Sequence, residues 1–452
     1  MILAQRCNEI FEMHNFSQLD FFGDDDFTSE LKEATKQLQA TRSGTFTDNM
    51  RLPIHRWFRY SAGFSAEWVE QLIKDSPATG RLIVLDPFAG SGTTLLAAEK
   101  AGAVAYGYES HPFVYRIATA KLLWRLDEHS FLNAATTLLD RAKKRMPQVP
   151  DQLPDLLAKC FTPKTLERLL ALRDCYVETG QEADEWKLVW LAITAILRPC
   201  SHVGTAQWQY VLPNKRKAAS LDPFQAFAAK VSEMISDMAF AKRAGFNQAA
   251  TMFLRDARGP APIADNSVDL VITSPPYPNN YDYADATRLE MTFWGEIASW
   301  GDLQHTVRQF IIRSCSQHTA AERLKLEELL EDSALAPIQS ELTDVCSQLA
   351  EIRMTKGGKK TYHTMIAAYF ADVAKVFMRL RPVCKPGARI CFVVGDSAPY
   401  GIYVPADIWL GRLAIATGFE SFSFEKIRDR NIKWKNRKHR VPLHEGRLWI
   451  RG

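Results

Sequence analysis

The run Arg81-Leu82-Ile83-Val84-Leu85-Asp86 passes straight into Pro87-Phe88-Ala89-Gly90-Ser91-Gly92-Thr93-Thr94, and this junction constrains the chain more than any other. A short apolar run bounded by turn residues reads as a buried strand. The glycines break it, and a helix is predicted from about Thr93 to Lys100, with Ala101-Gly102 as its stop. Residues 103–109 (AVAYGYE) read as the next strand. Strand, glycine turn, helix, strand is a βαβ unit, which commits the chain to an α/β fold with a mostly parallel, doubly wound sheet.

Further strand-like runs follow at 251–256 (TMFLRD), 267–273 (SVDLVIT) and 389–394 (RICFVV), with weaker ones near 419–427 and 447–450. From about 120 to 245 the apolar spacing is helical, as in EWKLVWLAITAIL. Residues 320–352 are charged and helical and read as an excursion from the core, ending in the basic loop KGGKK at 356–360. The first fifty residues are polar, with Asp24, Asp25 and Asp26 together, and read as a loosely attached arm. A net charge of +4 over 452 residues permits a nucleic-acid partner without demanding one. The eight cysteines form no CxxC pair, and no His/Cys cluster has zinc spacing, so no metal is expected. No signal pattern and no apolar run near the roughly 20 residues of a membrane span is present, so the chain reads as cytoplasmic with no membrane contact.

Doubly wound sheets bind ligands at the carboxyl ends of their strands. Gly90 and Gly92 allow close backbone approach there, but the loop lacks the Lys of a P-loop and the spacing of a dinucleotide fingerprint. Glu109 ends the second strand, where an acid can bond ribose hydroxyls, and Asp256 ends the third, where it can accept from an adenine amine. Taken singly, each feature is equally a tight turn or a strand cap. Thr273-Ser274-Pro275-Pro276-Tyr277 follows a second apolar strand, and its prolines fix a rigid turn that presents Tyr277 at the rim of the same cleft.

DPFAGSGTT together with TSPPY resembles the S-adenosylmethionine-dependent amino-methyltransferase family that makes N4-methylcytosine or N6-methyladenine in DNA. The resemblance covers about 50–118 and 250–295, and extends over 365–452 only in element order. It implies a Rossmann-like methyltransferase fold, a seven-stranded sheet with helical insertions. It divides the chain into an arm (1–50), core (51–119, 249–299 and 363–452) and helical inserts (120–248 and 300–362), the first of them a possible seat of target recognition. Many SPPY members carry that motif before the glycine loop, whereas here the glycine loop comes first. S-adenosylmethionine is then the methyl donor. Asp86, Pro87, Phe88, Gly90, Gly92 and Thr93 would hold its methionine part, Glu109 its ribose and Asp256 its adenine. His55 and Tyr60, with Phe64 and Ser65, match the family's upstream segment that closes over the carboxylate.

Ser274, Pro275, Pro276 and Tyr277 would be catalytic. The exocyclic amine is a poor nucleophile, and Ser274 Oγ with the Pro275 carbonyl can accept its hydrogens while Tyr277 stacks on the base. Transfer is then direct and in line, with no covalent intermediate. C5-cytosine methylation needs a cysteine nucleophile, and Pro199-Cys200 lies in the helical insert without the surrounding pattern, so Cys200 reads as structural. In the family, Ser at this position favours cytosine over adenine. The partner is double-stranded DNA with a flipped target base, together with a possible cognate restriction nuclease. Asn280 and Tyr281, next to Asn279, Asp282 and Tyr283, are expected near the base. The dense basic run at 426–440, with Lys433, Trp434, Lys435, Arg437 and Lys438, is expected on phosphate. A second candidate for DNA contact is Arg198 to Lys217, including Gln207, Trp208, Gln209 and Tyr210. The alternatives are an N6-adenine enzyme, an RNA base amino-methyltransferase and a non-catalytic DNA-binding subunit.

Overall fold

A computed structural model describes residues 46–452 apart from 61–62, 78–79, 147–151, 180–181, 207–209, 247–248, 280, 321–323, 358–359 and 431–440. Residues 1–45 of the N-terminal arm, Gln207 to Gln209, Asn280 and the basic residues Lys433, Trp434, Lys435, Arg437 and Lys438 therefore lie outside the described residues.

The strands are β1 (Ile83–Asp86), β2 (Val104–Glu109), β3 (Val203–Thr205), β4 (Val211–Arg216), β5 (Thr251–Leu254), β6 (Val268–Thr273), β7 (Cys384–Gly395), β8 (Ser421–Arg430) and β9 (Leu443–Arg451). Seven of them form one sheet in the order β5-β2-β1-β6-β7-β9-β8. β5, β2, β1, β6 and β7 run parallel, and β9 lies antiparallel between β7 and β8. This is the Rossmann-like methyltransferase arrangement. The chain builds outward from β1 through β2 to β5, then returns to β1's other side with β6. That reversal leaves a crevice at the carboxyl ends of β1 and β6, which is where a doubly wound sheet binds its ligand.

Helices cover both faces of the sheet. α1 (Ala66–Lys74) and α2 (Thr93–Ala101) bury Val69, Leu72, Leu95 and Ala98 against Val84 and Ile272. α3 (Pro112–Leu122) follows β2. The helical segment after it carries α4 (Glu128–Lys144), α5 (Pro163–Thr179), α6 (Asp184–Cys200) and α7 (Pro223–Arg243). It shares one apolar cluster with the stretch before α1, through Ile54, Trp57, Leu188 and Trp190. Asp237 of α7 seals this join, accepting from the Ile54 amide (3.0 Å), Trp57 Nε1 (3.0 Å) and the Arg56 guanidinium. α8 (Arg288–Trp294) extends the same layer.

On the far face, α10 (Tyr362–Val383) is buried along most of its length, with α9 (Gln339–Thr355) and α11 (Ala406–Ala416) beside it. The charged stretch expected as an excursion is thus in part core. Leu342, Cys346 and Leu349 recur at helical spacing and pack on α10, while the charged residues face outward. The antiparallel pair β3–β4 interrupts a segment expected to be mostly helical. Among the described residues no helix is long and apolar enough to cross a membrane.

Candidate active site

The two sequence motifs meet at the ends of β1 and β6. Asp86, 2 % exposed, accepts Thr94 Oγ1 and Thr273 Oγ1, each at 2.6 Å, and the Phe88 amide at 3.0 Å. Burial pushes its carboxyl up to about 6 against these three donors. The carboxylate thus locks the glycine loop to the start of α2 and to the strand that carries the SPPY turn. Gly90 and Gly92 have φ of 52° and 88°, a region side chains disfavour. Their backbone turn brings the Gly90 amide to Glu109 Oε2 at 2.9 Å, while Glu109 Oε1 accepts the His111 amide at 2.8 Å. Burial raises Glu109 to about 7 in spite of these bonds, with Asp86 adding to the rise.

A cleft opens at this point. One wall is the glycine loop, with Asp86, Phe88, Ala89, Gly90 and Thr93, and the next is Glu109, Ser110 and His111. Ser274 and Pro276 form a third side, and Tyr60, Gly63 and Phe64 a fourth. His111 is buried and held to a pKa of about 3 by that burial. Its Nε2 meets Thr287 Oγ1 at 2.9 Å, and Nδ1 has no partner among the described residues. The cavity therefore has an ionisable acid and an orphaned buried nitrogen at one end and aromatic or apolar walls elsewhere, which suits a ligand with a polar sugar and a flat ring.

Ser274 Oγ donates to the Val393 carbonyl at 3.3 Å, so its lone pairs are left to accept. The Tyr277 hydroxyl is pushed up chiefly by burial. The Arg430 guanidinium lies 5.1 Å from the Tyr277 ring centre and donates to the Asp396 carbonyl at 2.6 Å. Gly395 makes room for this pair, because a Cβ there would stand 3.0 Å from Tyr277 Cδ2 and 2.6 Å from Arg430 Nη1.

The chain beyond the turn is tied from behind. Tyr283 lines the cavity and stacks on Tyr281, their ring centres 4.2 Å apart. Between them Asp282, 4 % exposed, pairs with Arg308 at 2.6 Å and His318 at 3.3 Å. Its donor atoms, with those of Cys315 and His318, lie within 4.8 Å of one another, but Arg308 and His318 already occupy the carboxylate. Between these two anchors runs a strap that lends Ile311 and Ile312 to the cavity. Its Arg313 is bound to Asp372 of α10 at 2.6 Å.

Of the residues expected at the cofactor, Asp86, Phe88, Gly90, Thr93, Glu109 and Tyr60 line the cavity. Pro87 and Gly92 do not, although Gly92 caps α2. Two further expected residues lie outside the lining. Asp256 is outside the lining, with both carboxylate oxygens held by Arg258 and the nearest at 2.6 Å. His55 is also outside it; desolvation, with Lys121 and Lys100 nearby, drives its ring down to a pKa of about 3, and its carbonyl accepts Lys121 Nζ at 3.0 Å. Two more residues, offered for DNA contact, turn inward. Arg198 pairs with the buried Glu290 at 2.5 Å, and Lys217 Nζ donates to the Arg198 carbonyl at 2.6 Å. Cys200 is buried in α6, and burial raises its thiol to about 12. Ser110 and His111 were missed, though their place directly after Glu109 was a usable signal. Ile311 and Ile312 were missed because no local pattern marks them.

The DNA methylase family model matches residues 15–120. The chain is 25% identical over 443 residues to the Type II methyltransferase M.BsoBI of Geobacillus stearothermophilus, covering 85% of this chain and 82% of that protein. It is 26% identical over 455 residues to the Type II methyltransferase M.AvaI of a Nostoc species, covering 89% of each. Among solved structures, an rRNA methyltransferase from Streptomyces viridochromogenes aligns over 88% of this chain and 85% of that one, at 10% identity and a TM-score of 0.28.

Proposed function

We propose that this chain, which belongs to the DNA amino-methyltransferase family, is a Type II DNA methyltransferase that methylates N4 of cytosine with S-adenosylmethionine. One observation carries the reading: Gly90 and Glu109 share a single cavity with Ser274 and Pro276. A donor-binding loop and an SPPY turn that opened on different clefts would not support transfer between them.

The cavity suits the donor. Glu109 is placed to accept from ribose hydroxyls, and the orphaned His111 Nδ1 offers a further polar contact. Phe88, Ile311 and Ile312 supply the apolar surface an adenine ring needs. When bound, S-adenosylmethionine supplies an electrophilic methyl group on its sulfonium. The protein's part is then to hold the amine and raise its nucleophilicity. Ser274 Oγ spends its own hydrogen on Val393 and so can accept from the amine, as can the Pro275 carbonyl. Both bonds favour a more tetrahedral nitrogen, and both strengthen as positive charge develops on it. Tyr277 offers an aromatic face for the flipped base. The Ser at position 274, in the family pattern, favours cytosine over adenine.

The test is to incubate the protein with labelled S-adenosylmethionine and mixed-sequence duplex DNA, digest to nucleosides and identify the labelled species. Labelled N4-methylcytosine, lost in Ser274→Ala, is the expected result. Labelled N6-methyladenine would overturn the base assignment alone. Label in RNA and none in DNA would overturn the substrate.

A further inference from the structure

The pair β3–β4 stands outside the main sheet, and two anchors fix it to the segment that continues from the SPPY turn. At its tip, the Tyr210 hydroxyl accepts the Asp282 amide at 2.5 Å, and its ring meets Tyr281 edge-on at 6.5 Å. At its root, Arg198 binds Glu290 and donates to the Ala286 carbonyl at 2.8 Å, while the Lys217 amide closes on the His202 carbonyl at 2.9 Å. The hairpin is therefore tied through Tyr210 to the segment that carries Tyr283.

The register of the hairpin is irregular. Thr205 faces Val211 and Gly204 faces Leu212, but Val203 faces Arg216, so Pro213, Asn214 and Lys215 bulge from β4. Bulges re-aim side chains and are frequent beside active sites. The bulge folds back over Gly204, where a Cβ would lie 3.2 Å from Lys215 Cβ. Pro213, Asn214, Lys215 and Arg216 are all exposed, and residues 201–221 contain no acidic side chain. An exposed basic strand is often no more than solvated surface. This one is bulged outward and braced at both ends against the catalytic wall, an arrangement that solvation alone does not require.

We propose that the β3–β4 hairpin is the element that contacts duplex DNA beside the target base, with Lys215 and Arg216 on its phosphates. A two-stranded ribbon is of a size the major groove admits, and the anchors set its distance from Ser274. The proposal rests on the reading above that duplex DNA is the substrate.

The experiment measures binding of the full chain to a mixed-sequence duplex by fluorescence anisotropy across a salt series, alongside the KM for DNA in methyl transfer. The Lys215→Ala/Arg216→Ala double variant is compared with wild type and with a Lys143→Ala/Lys144→Ala control on α4. We expect the double variant to bind about ten-fold more weakly, and the slope of log K against log salt to fall by roughly two, one for each lost phosphate contact. The control should match wild type. A double variant with wild-type binding and slope overturns the proposal while leaving the substrate reading intact. A wild-type chain that binds no duplex DNA overturns both.

Discussion

Thr273, the last residue of β6, donates its hydroxyl to Oδ1 of Asp86, the last residue of β1, at 2.6 Å, and so joins the SPPY turn to the glycine loop by one bond. Thr94 occupies the other oxygen of the same carboxylate, also at 2.6 Å. Asp86→Ala leaves two buried hydroxyls and the part-buried Phe88 amide without their acceptor. We expect a loss of about 3 kcal/mol in denaturant unfolding, since each buried donor left unsatisfied costs on the order of 1–3 kcal/mol and neighbouring costs do not simply add. Thr273→Val should cost about 1 kcal/mol and raise the Kd for S-adenosylmethionine. A stable Asp86→Ala protein with unchanged cofactor affinity would show that the join is dispensable.

Glu109, as the proposed ribose ligand, should make cofactor binding pH-dependent. Burial raises its carboxyl to about 7, so it is partly protonated at neutral pH. The ionised form accepts on both oxygens, whereas the protonated form has to turn one into a donor. Affinity for S-adenosylmethionine should therefore rise by about ten-fold in all between pH 6 and 8 as the group titrates. Calorimetry across that range checks it: Glu109→Gln should bind more weakly, with a flat profile.

The Asp282–His318 pair acts on stability in a defined window. Burial pushes Asp282 up, but the bond and charge of His318 and Arg308 outweigh it and leave the carboxyl at about 2. Its contribution is present above its ordinary value of 3.8 and is lost as pH falls towards 2. Burial pushes His318 down, but Cys315 and Asp282 outweigh that and raise it to about 10. Its contribution is complete below 6.5 and is lost as pH rises through 10. His318→Gln should cost about 3 kcal/mol, as for a broken buried pair. The difference from wild type should be widest between pH 4 and 6.5 and should shrink towards pH 10. Thermal melts across the series decide it, and a constant difference would exclude the ion pair as its source.

Arg430 over Tyr277 predicts a modest kinetic effect. Loss of a cation–π contact removes about 0.5–1 kcal/mol, so Arg430→Ala should lower kcat some two- to five-fold. Because the guanidinium also bonds the Asp396 carbonyl, Arg430→Lys should restore only part of the loss. Tyr277→Phe should outperform Tyr277→Ala if the ring face matters more than the hydroxyl. Single-turnover methyl transfer gives both rankings.

The strands β1, β2 and β6 and the loops that follow them are legible in the amino-acid pattern. β1, β2 and β6 are short apolar runs ended by Asp86, Glu109 and Thr273, and both the periodicity and the turn residues that bound them are local. That is why the glycine loop, Glu109 and Ser274 were legible as parts of one cleft. Tertiary structure alone decided what closes that cleft. Ile311 and Ile312 reach it because Asp282 captures Arg308 and His318, and an ion pair between residues 26 and 36 positions apart leaves no periodic trace. Asp256 sits where a strand-end acid is expected, yet Arg258, two residues on, takes its carboxylate. His55 lies in the expected segment, but it stands outside the cavity lining, and its carbonyl is taken by Lys121 of α3. Local pattern specifies which residues end a strand. Which charges find each other across the fold depends on packing, since a buried carboxylate binds whichever cation the surrounding elements carry to it.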